Sequence, residues 1–128
     1  MAIDKKIRVL IVDDFSTMRR ICKHLLKQIG FVNIIEADDG TTALNVLKKT
    51  PVDLVLTDWN MPKMNGLELL KAIRKDPNLK HLPVIMVTAE ALNENIIAAL
   101  KAGVNNYIVK PFNAQTLEKK LEDVLGKK

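Results

Sequence analysis

Four apolar runs of this chain end in side chains suited to phosphate and metal chemistry. Asp13 and Asp14 follow Arg8–Val12, and Asp58 closes the run that begins at Asp53. Thr88 and Ala89 close the run that begins at Pro83, and Lys110 with Pro111 closes the run that begins at Asn106. Carboxylates brought close together repel, so either one keeps its proton or a cation neutralises them. Hard oxygen ligands at a partly open site suit Mg²⁺. A carboxylate is also a competent phosphoryl acceptor, giving an aspartyl phosphate. Such transfer asks the protein mainly for positioning and charge stabilisation. The expected parts are therefore Asp58 as acceptor, Asp13, Asp14 and Asp58 around the metal, and Lys110, the Thr88 hydroxyl and the Ala89 N–H on the phosphoryl oxygens. A lone Asp after a strand usually caps the next helix. Three converging aspartates with a strand-end lysine are poorly explained as caps.

That convergence requires a particular fold. The strand-like runs are Arg8–Val12, Ile34–Ala37, Asp53–Asp58, Pro83–Thr88 and Asn106–Lys110. Helical patterns separate them. Met18, Ile21, Cys22, Leu25, Leu26 and Ile29 share one stripe, with Gly30 placed to cap it. Ala43, Leu44 and Leu47 mark a short helix ending before Pro51, and Leu67, Leu70 and Ile73 mark another after a loop holding Pro62 and Gly66. Ile96, Ile97 and Leu100 precede a capping Gly103, and Leu117, Leu121, Val124 and Leu125 line the last helix. The first, third and fourth strands are nearly continuous apolar runs, as in strands buried on both faces of a parallel sheet. Repeated strand–helix units predict an α/β, flavodoxin-like (βα)5 doubly wound fold. Its five-stranded parallel sheet takes the order 2-1-3-4-5, with helices on both faces. Ligands in such sheets bind beyond the carboxyl ends of the strands, where all the residues named above fall.

The 128 residues fit one domain, residues 1–128, with no effector domain, and 48% of them are apolar. No apolar run is long enough for a membrane span, and the N-terminus has no signal-peptide core. The single Cys22 forms no internal disulfide and sits on an apolar stripe, so a cytoplasmic setting and a core position are expected. His24 and His81 read as surface residues, and the methionines as core filler. The net charge of +5 comes from lysines spread over many segments, with few aromatics to stack bases. That favours a solvated surface or an acidic protein partner over nucleic acid.

The motifs Asp13-Asp14, Asp58, Thr88 and Lys110-Pro111 resemble those of two-component response-regulator receivers over nearly the whole chain. The stretches Val12–Ile21, Asp58–Pro62, Met86–Ala91, Glu94–Ala99 and Val109–Phe112 resemble the chemotaxis members in particular. The resemblance implies phosphorylation of Asp58 by a chemotaxis histidine kinase. It implies Mg²⁺ bound by Asp14, Asp58 and the backbone carbonyl of Asn60, with Asp13 acting through a water. Thr88 and Tyr107 would form a switch, and the Lys110–Pro111 peptide would be cis. Asn60 and Glu90 would tune the phosphoryl lifetime. The fourth helix, fifth strand and fifth helix, including Tyr107 and Lys120, would bind the flagellar motor switch protein. A phosphatase is a further partner, and the protein would act as a monomer. Leu92 and Asn93 depart from the basic residues that close relatives carry there.

Three other readings are weighed against this one. An aspartyl-phosphate phosphatase needs an Asp-x-Asp nucleophile, and Asp13-Asp14-Phe15 has the wrong spacing. A nucleotide-binding module needs a Gly-rich phosphate loop, which is absent. A single-domain receiver in a phosphorelay shares the same pocket and stays open.

Overall fold

The computed structural model describes residues 4–89 and 93–126. Its strands are β1 (Arg8–Val12), β2 (Asn33–Ala37), β3 (Leu54–Asp58), β4 (Val84–Thr88) and β5 (Asn106–Val109). Its helices are α1 (Ser16–Ile29), α2 (Gly40–Lys49), α3 (Gly66–Lys75), α4 (Asn93–Lys101) and α5 (Ala114–Leu125). All strand pairs are parallel, in the order β2-β1-β3-β4-β5. The predicted elements and strand order are therefore found, with strand ends differing by a residue.

Side-chain alternation in β1 splits the interior into two layers. Leu10 and Val12 face one core with Ala43, Leu47, Leu70 and Ile73 of α2 and α3. Val9 and Ile11 face the other, with Cys22 and Leu26 of α1 and Leu117 and Leu121 of α5. A strand whose two faces are both covered has no need of polar residues, which explains the unbroken apolar runs. Cys22 is buried as expected, and His24 and His81 are exposed.

Two helices deviate from their sequence stripes. Ile21 is exposed, because α1 centres its buried face on Cys22 and Leu26. In α4 the buried residue is Ala99, whereas Ile97 and Leu100 lie in solvent. A small side chain lets that helix approach the sheet and turns its large apolar residues outward.

The basic balance has a local cause. Lys27, Lys48 and Lys49, Arg74 and Lys75, and Lys101 occupy the last turns of α1, α2, α3 and α4. Cations there meet the negative end of each helix dipole. In this topology every helix C-terminus lies at the amino edge of the sheet, so lysines scattered in sequence gather in space. Arg74 goes further: it donates to the carbonyls of Lys80, Leu82 and Gly103 and to Asn105 Oδ1, joining α3 to the entries of β4 and β5.

The β3–α3 connection sets the floor of the carboxyl edge. Gly66 N–H donates to Trp59 O at 2.8 Å, folding the loop back on itself. Asn65 and Glu68 form a reciprocal capping box that starts α3. A methyl group on Gly66 would press into the Asp58 carbonyl oxygen and come within 2.8 Å of the Met86 sulfur. Gly66→Ala is accordingly expected to lower stability by about 1–3 kcal/mol, the usual cost of overpacking. It should also alter Trp59 emission, since Trp59 Cα lies 3.0 Å from that methyl position. Urea unfolding followed by fluorescence checks both effects.

Candidate functional site

Each site residue sits where a strand runs out. β1 releases the chain at Asp13, whose N–H still donates to Ala37 O of β2 at 3.1 Å. The next amide to bond with this residue is that of Phe15, which donates to Asp13 Oδ1 at 3.0 Å. Asp58 is the last residue of β3 and pairs in register with Val87. Thr88 ends β4, and its carbonyl accepts from Lys110 N at 2.8 Å. Lys110 follows β5 directly and precedes Pro111 through a cis peptide bond.

The result is a compact charged cluster. Asp13, Asp14 and Asp58 present carboxylate oxygens that all lie within 4.8 Å of one another. Asp13 and Asp58 are buried, while Asp14 is exposed, so the cluster opens to solvent on one side. The Lys110 Nζ stands 3.2 Å from Asp13 Oδ2 and 3.2 Å from Asp58 Oδ1. The lysine therefore faces the acids, as the sequence required.

The electrostatics are those of an under-neutralised site. Burial, and next the Asp13 charge, push the Asp58 carboxyl above its ordinary value. The Lys110 ammonium and the Trp59 N–H work in the opposite direction and do not overcome it. Burial also opposes the Lys110 charge, yet Asp58 and Asp13 together raise the Lys110 value. The buried Cys22 thiol, beside the same cluster, is pushed up to about 12, chiefly by desolvation and then by Asp13. It is a packed side chain with no nucleophilic character.

Hard oxygen donors, two buried and one open, fit a small divalent cation that keeps part of its water shell. Asn60 is exposed in the loop beyond Asp58, and Ala89 is exposed beyond Thr88. Glu90 and Leu92 lie outside the described residues. Thr88 and Tyr107 line a common narrow cavity with Trp59, Met86, Ile96 and Ala99. Tyr107 is half-buried, with Lys120 Nζ 5.2 Å from its ring centroid.

Two groups were not singled out from the sequence. Asp39 is buried at the same edge, but its side chain accepts from Thr42 N at 2.8 Å and caps α2. That backbone hydrogen bond holds its carboxyl below the usual range. Arg19 donates from Nη1 to the Asp13 carbonyl at 2.6 Å and from Nε to Glu36 at 3.1 Å. The available signal was its place near the start of α1, where a cation opposes the helix dipole.

With this geometry in hand, comparison with known proteins is informative. The response regulator receiver domain matches residues 9–122. The chain is 62% identical over 122 residues to chemotaxis protein CheY-3 of Vibrio cholerae serotype O1, covering 95% of this chain and 94% of that one. It is 61% identical over 117 residues to chemotaxis protein CheY of Pseudomonas aeruginosa, covering 91% and 94%. Among solved structures, the receiver domain of sensor histidine kinase PA1611 from Pseudomonas aeruginosa superposes with a TM-score of 0.86 at 27% identity, covering 95% of this chain and 99% of that one. That structure has a magnesium ion coordinated in its active-site cleft. The chain thus belongs to the response regulator receiver domain family.

Proposed function

We propose that this chain is a phosphoacceptor of bacterial chemotaxis. In this reading Asp58 takes a phosphoryl group from a histidine kinase, and the phosphorylated protein binds the flagellar motor switch. One observation carries the reading: a single ammonium, Lys110, is shared at 3.2 Å between Asp13 and Asp58, beside the open carboxylate of Asp14. The similarity to two chemotaxis proteins at 61–62% identity supports the pathway over a phosphorelay. Those relatives are matched over 94% of their length, which supports a receiver acting alone as a single domain.

An Asp58 carboxylate oxygen attacks the phosphorus of a phosphohistidine. The P–N bond breaks, and the imidazole leaves with the electron pair and takes up a proton. Asp14 and Asp58, with the Asn60 carbonyl, would hold Mg²⁺, and Asp13 would reach it through a water. When bound, the ion supplies charge neutralisation to the phosphoryl oxygens. Lys110 pairs with another of those oxygens, and the Thr88 hydroxyl and Ala89 N–H donate to the remainder. By the family resemblance, Asn60 and Glu90 would tune the lifetime of the acyl phosphate. The protein is thus a stoichiometric acceptor rather than a turnover enzyme. A separate phosphatase would shorten the signal.

The phosphoryl group adds charge and acceptor oxygens. Thr88 and Lys110 meet them only in the active state, which shifts the population. Tyr107 shares a cavity with Thr88 and would move into the space it vacates. The half-buried Tyr107 and the neighbouring Lys120 would then present the output surface of α4, β5 and α5 to an acidic segment of the switch. The chain would work as a cytoplasmic monomer. Among the described residues no helix is long and apolar enough to cross a membrane.

Three outcomes are expected. Mg²⁺, then a small phosphodonor such as acetyl phosphate, should each change the emission of Trp59, the chain's one tryptophan and a half-buried neighbour of Asp58. Silence from folded protein would remove the site.

The second concerns Asp58 and pH. Its folded pKa lies above the unfolded value of about 4, so the folded chain binds that proton more tightly. Its contribution to stability therefore falls as pH rises through that window and is lowest at neutral pH. Metal-free Asp58→Asn should be more stable than the parent at pH 7, with the difference shrinking towards pH 4. The variant should also take up no alkali- and hydroxylamine-labile phosphate, and Mg²⁺ should stabilise it less than the parent. Denaturation midpoints at both pH values and radiolabelled phosphotransfer are the measurements.

The third is linkage. Phosphorylation should raise affinity for the motor switch protein, and the switch protein should slow loss of the phosphoryl group. Equal affinity with and without the phosphodonor would sink the chemotaxis role while leaving the acceptor chemistry intact.

A further inference from the structure

We infer that Arg19 is a positioning residue for the metal-binding pair, fixing the Asp13–Asp14 peptide so that both carboxylates can meet one cation. The inference rests on the phosphoacceptor reading and deepens it. It starts from a broken local rule. α1 opens without an acidic residue in its first turn and without a side-chain cap, and instead carries Arg19 and Arg20 close to its positive end. A cation there costs stability unless something nearby compensates it.

The compensation is specific. The Arg19 side chain is only 19% exposed and spans two elements. Nη1 donates to the Asp13 carbonyl at 2.6 Å, and Nε meets Glu36 Oε1 of β2 at 3.1 Å. Lys23 braces the other Glu36 oxygen at 3.4 Å. The Asp13 carbonyl and the Asp14 amide belong to one planar peptide unit. A short charge-assisted hydrogen bond to that oxygen therefore sets the plane from which the exposed Asp14 side chain departs.

Every other polar group of Asp13 is also engaged. Its N–H goes to Ala37, Oδ1 accepts from Phe15, and Oδ2 meets Lys110. Arg19 is the side chain that takes up the remaining group, the carbonyl oxygen shared with the Asp14 peptide. It cannot ligate a metal itself. Its effect is to hold the direction of groups that can, and outer partners of this kind commonly change metal affinity 10–100-fold.

The test uses the full chain. Mg²⁺ titration followed by Trp59 emission should show Arg19→Ala binding about 10-fold more weakly than the parent. Arg19→Lys, which can still donate to the Asp13 carbonyl, should recover part of the loss. Glu36→Gln should sit between the two, and Lys23→Ala should stay within about twofold. A second readout needs no metal. The Asp14 amide should move in ¹⁵N shift, and its order parameter should drop from the rigid range near 0.85 towards 0.6 in Arg19→Ala. β3 amides should keep theirs, a pattern that general loosening would not give.

Parent-like Mg²⁺ affinity with an unmoved Asp14 amide would overturn the inference. If Arg19→Ala does not fold, Arg19→Lys and Glu36→Gln decide it by the same two readouts. A parent protein that ignores Mg²⁺ would defeat the phosphoacceptor reading. The Asp14 amide comparison would still say whether Arg19 orients this peptide.

Discussion

Asp13 and Asp58 are buried carboxylates held against each other at the end of adjacent strands, and the Lys110 ammonium between them is what makes that arrangement tolerable. Neither acid can move away. Asp13 is tied by its backbone to β2, and Asp58 is still part of β3. The backbone of the lysine is fixed as well, because its own N–H is paired with Thr88 at the end of β4. The sheet thus forces one cation to serve two anions, and Asp58 stays harder to ionise than a free carboxyl. A site left short of positive charge in this way favours a further cation. It also keeps beside Asp58 the ammonium that the proposed transfer would use.

The strand order is the reason this happens at all. In the order β2-β1-β3-β4-β5, β1 and β3 are neighbours, and β4 and β5 follow on one side. Parallel strands release their chains at the same edge, so residues as distant in sequence as Asp13 and Lys110 meet. The same rule applied to the opposite edge collects the helix C-termini and their lysines. The helix C-terminal lysines and the strand-end carboxylates thus lie at opposite edges of the sheet for one topological reason.

The fold was legible because its signals are repeated. Unbroken apolar strands, Gly30 and Gly103 with positive φ after their helices, and the stop before Pro51 all point the same way. The acids of the carboxyl edge and Lys110 were legible because a strand end is a position the sequence defines closely. What stayed hidden depended on distances that periodicity does not encode. Ile97 and Leu100 satisfy a helical stripe yet face solvent, because Ala99 sets how closely α4 packs. Asp39 looks like one more turn aspartate and is one, although it lies buried at the same edge. Arg19 lies outside the apolar stripe that marked the first helix. Its bond to a main-chain carbonyl leaves no trace in residue types, since any residue offers that oxygen.

Lys110 and Arg19 meet Asp13 through different oxygens and answer different needs. The lysine meets side-chain oxygens, so it sets how much negative charge the site retains. The arginine meets a backbone oxygen, so it leaves that charge unneutralised and constrains direction instead. If both cations paired with the carboxylates, the acids would be neutralised and a divalent ion would gain little by binding. If neither restrained them, mutual repulsion would spread Asp13 and Asp14 towards solvent. One cation on charge and one on geometry leaves the carboxylates anionic, close together and aimed. A planar guanidinium can hold a carbonyl and a carboxylate at once, whereas an ammonium on a flexible stem suits the change of partner that the proposed phosphoryl transfer would ask of it.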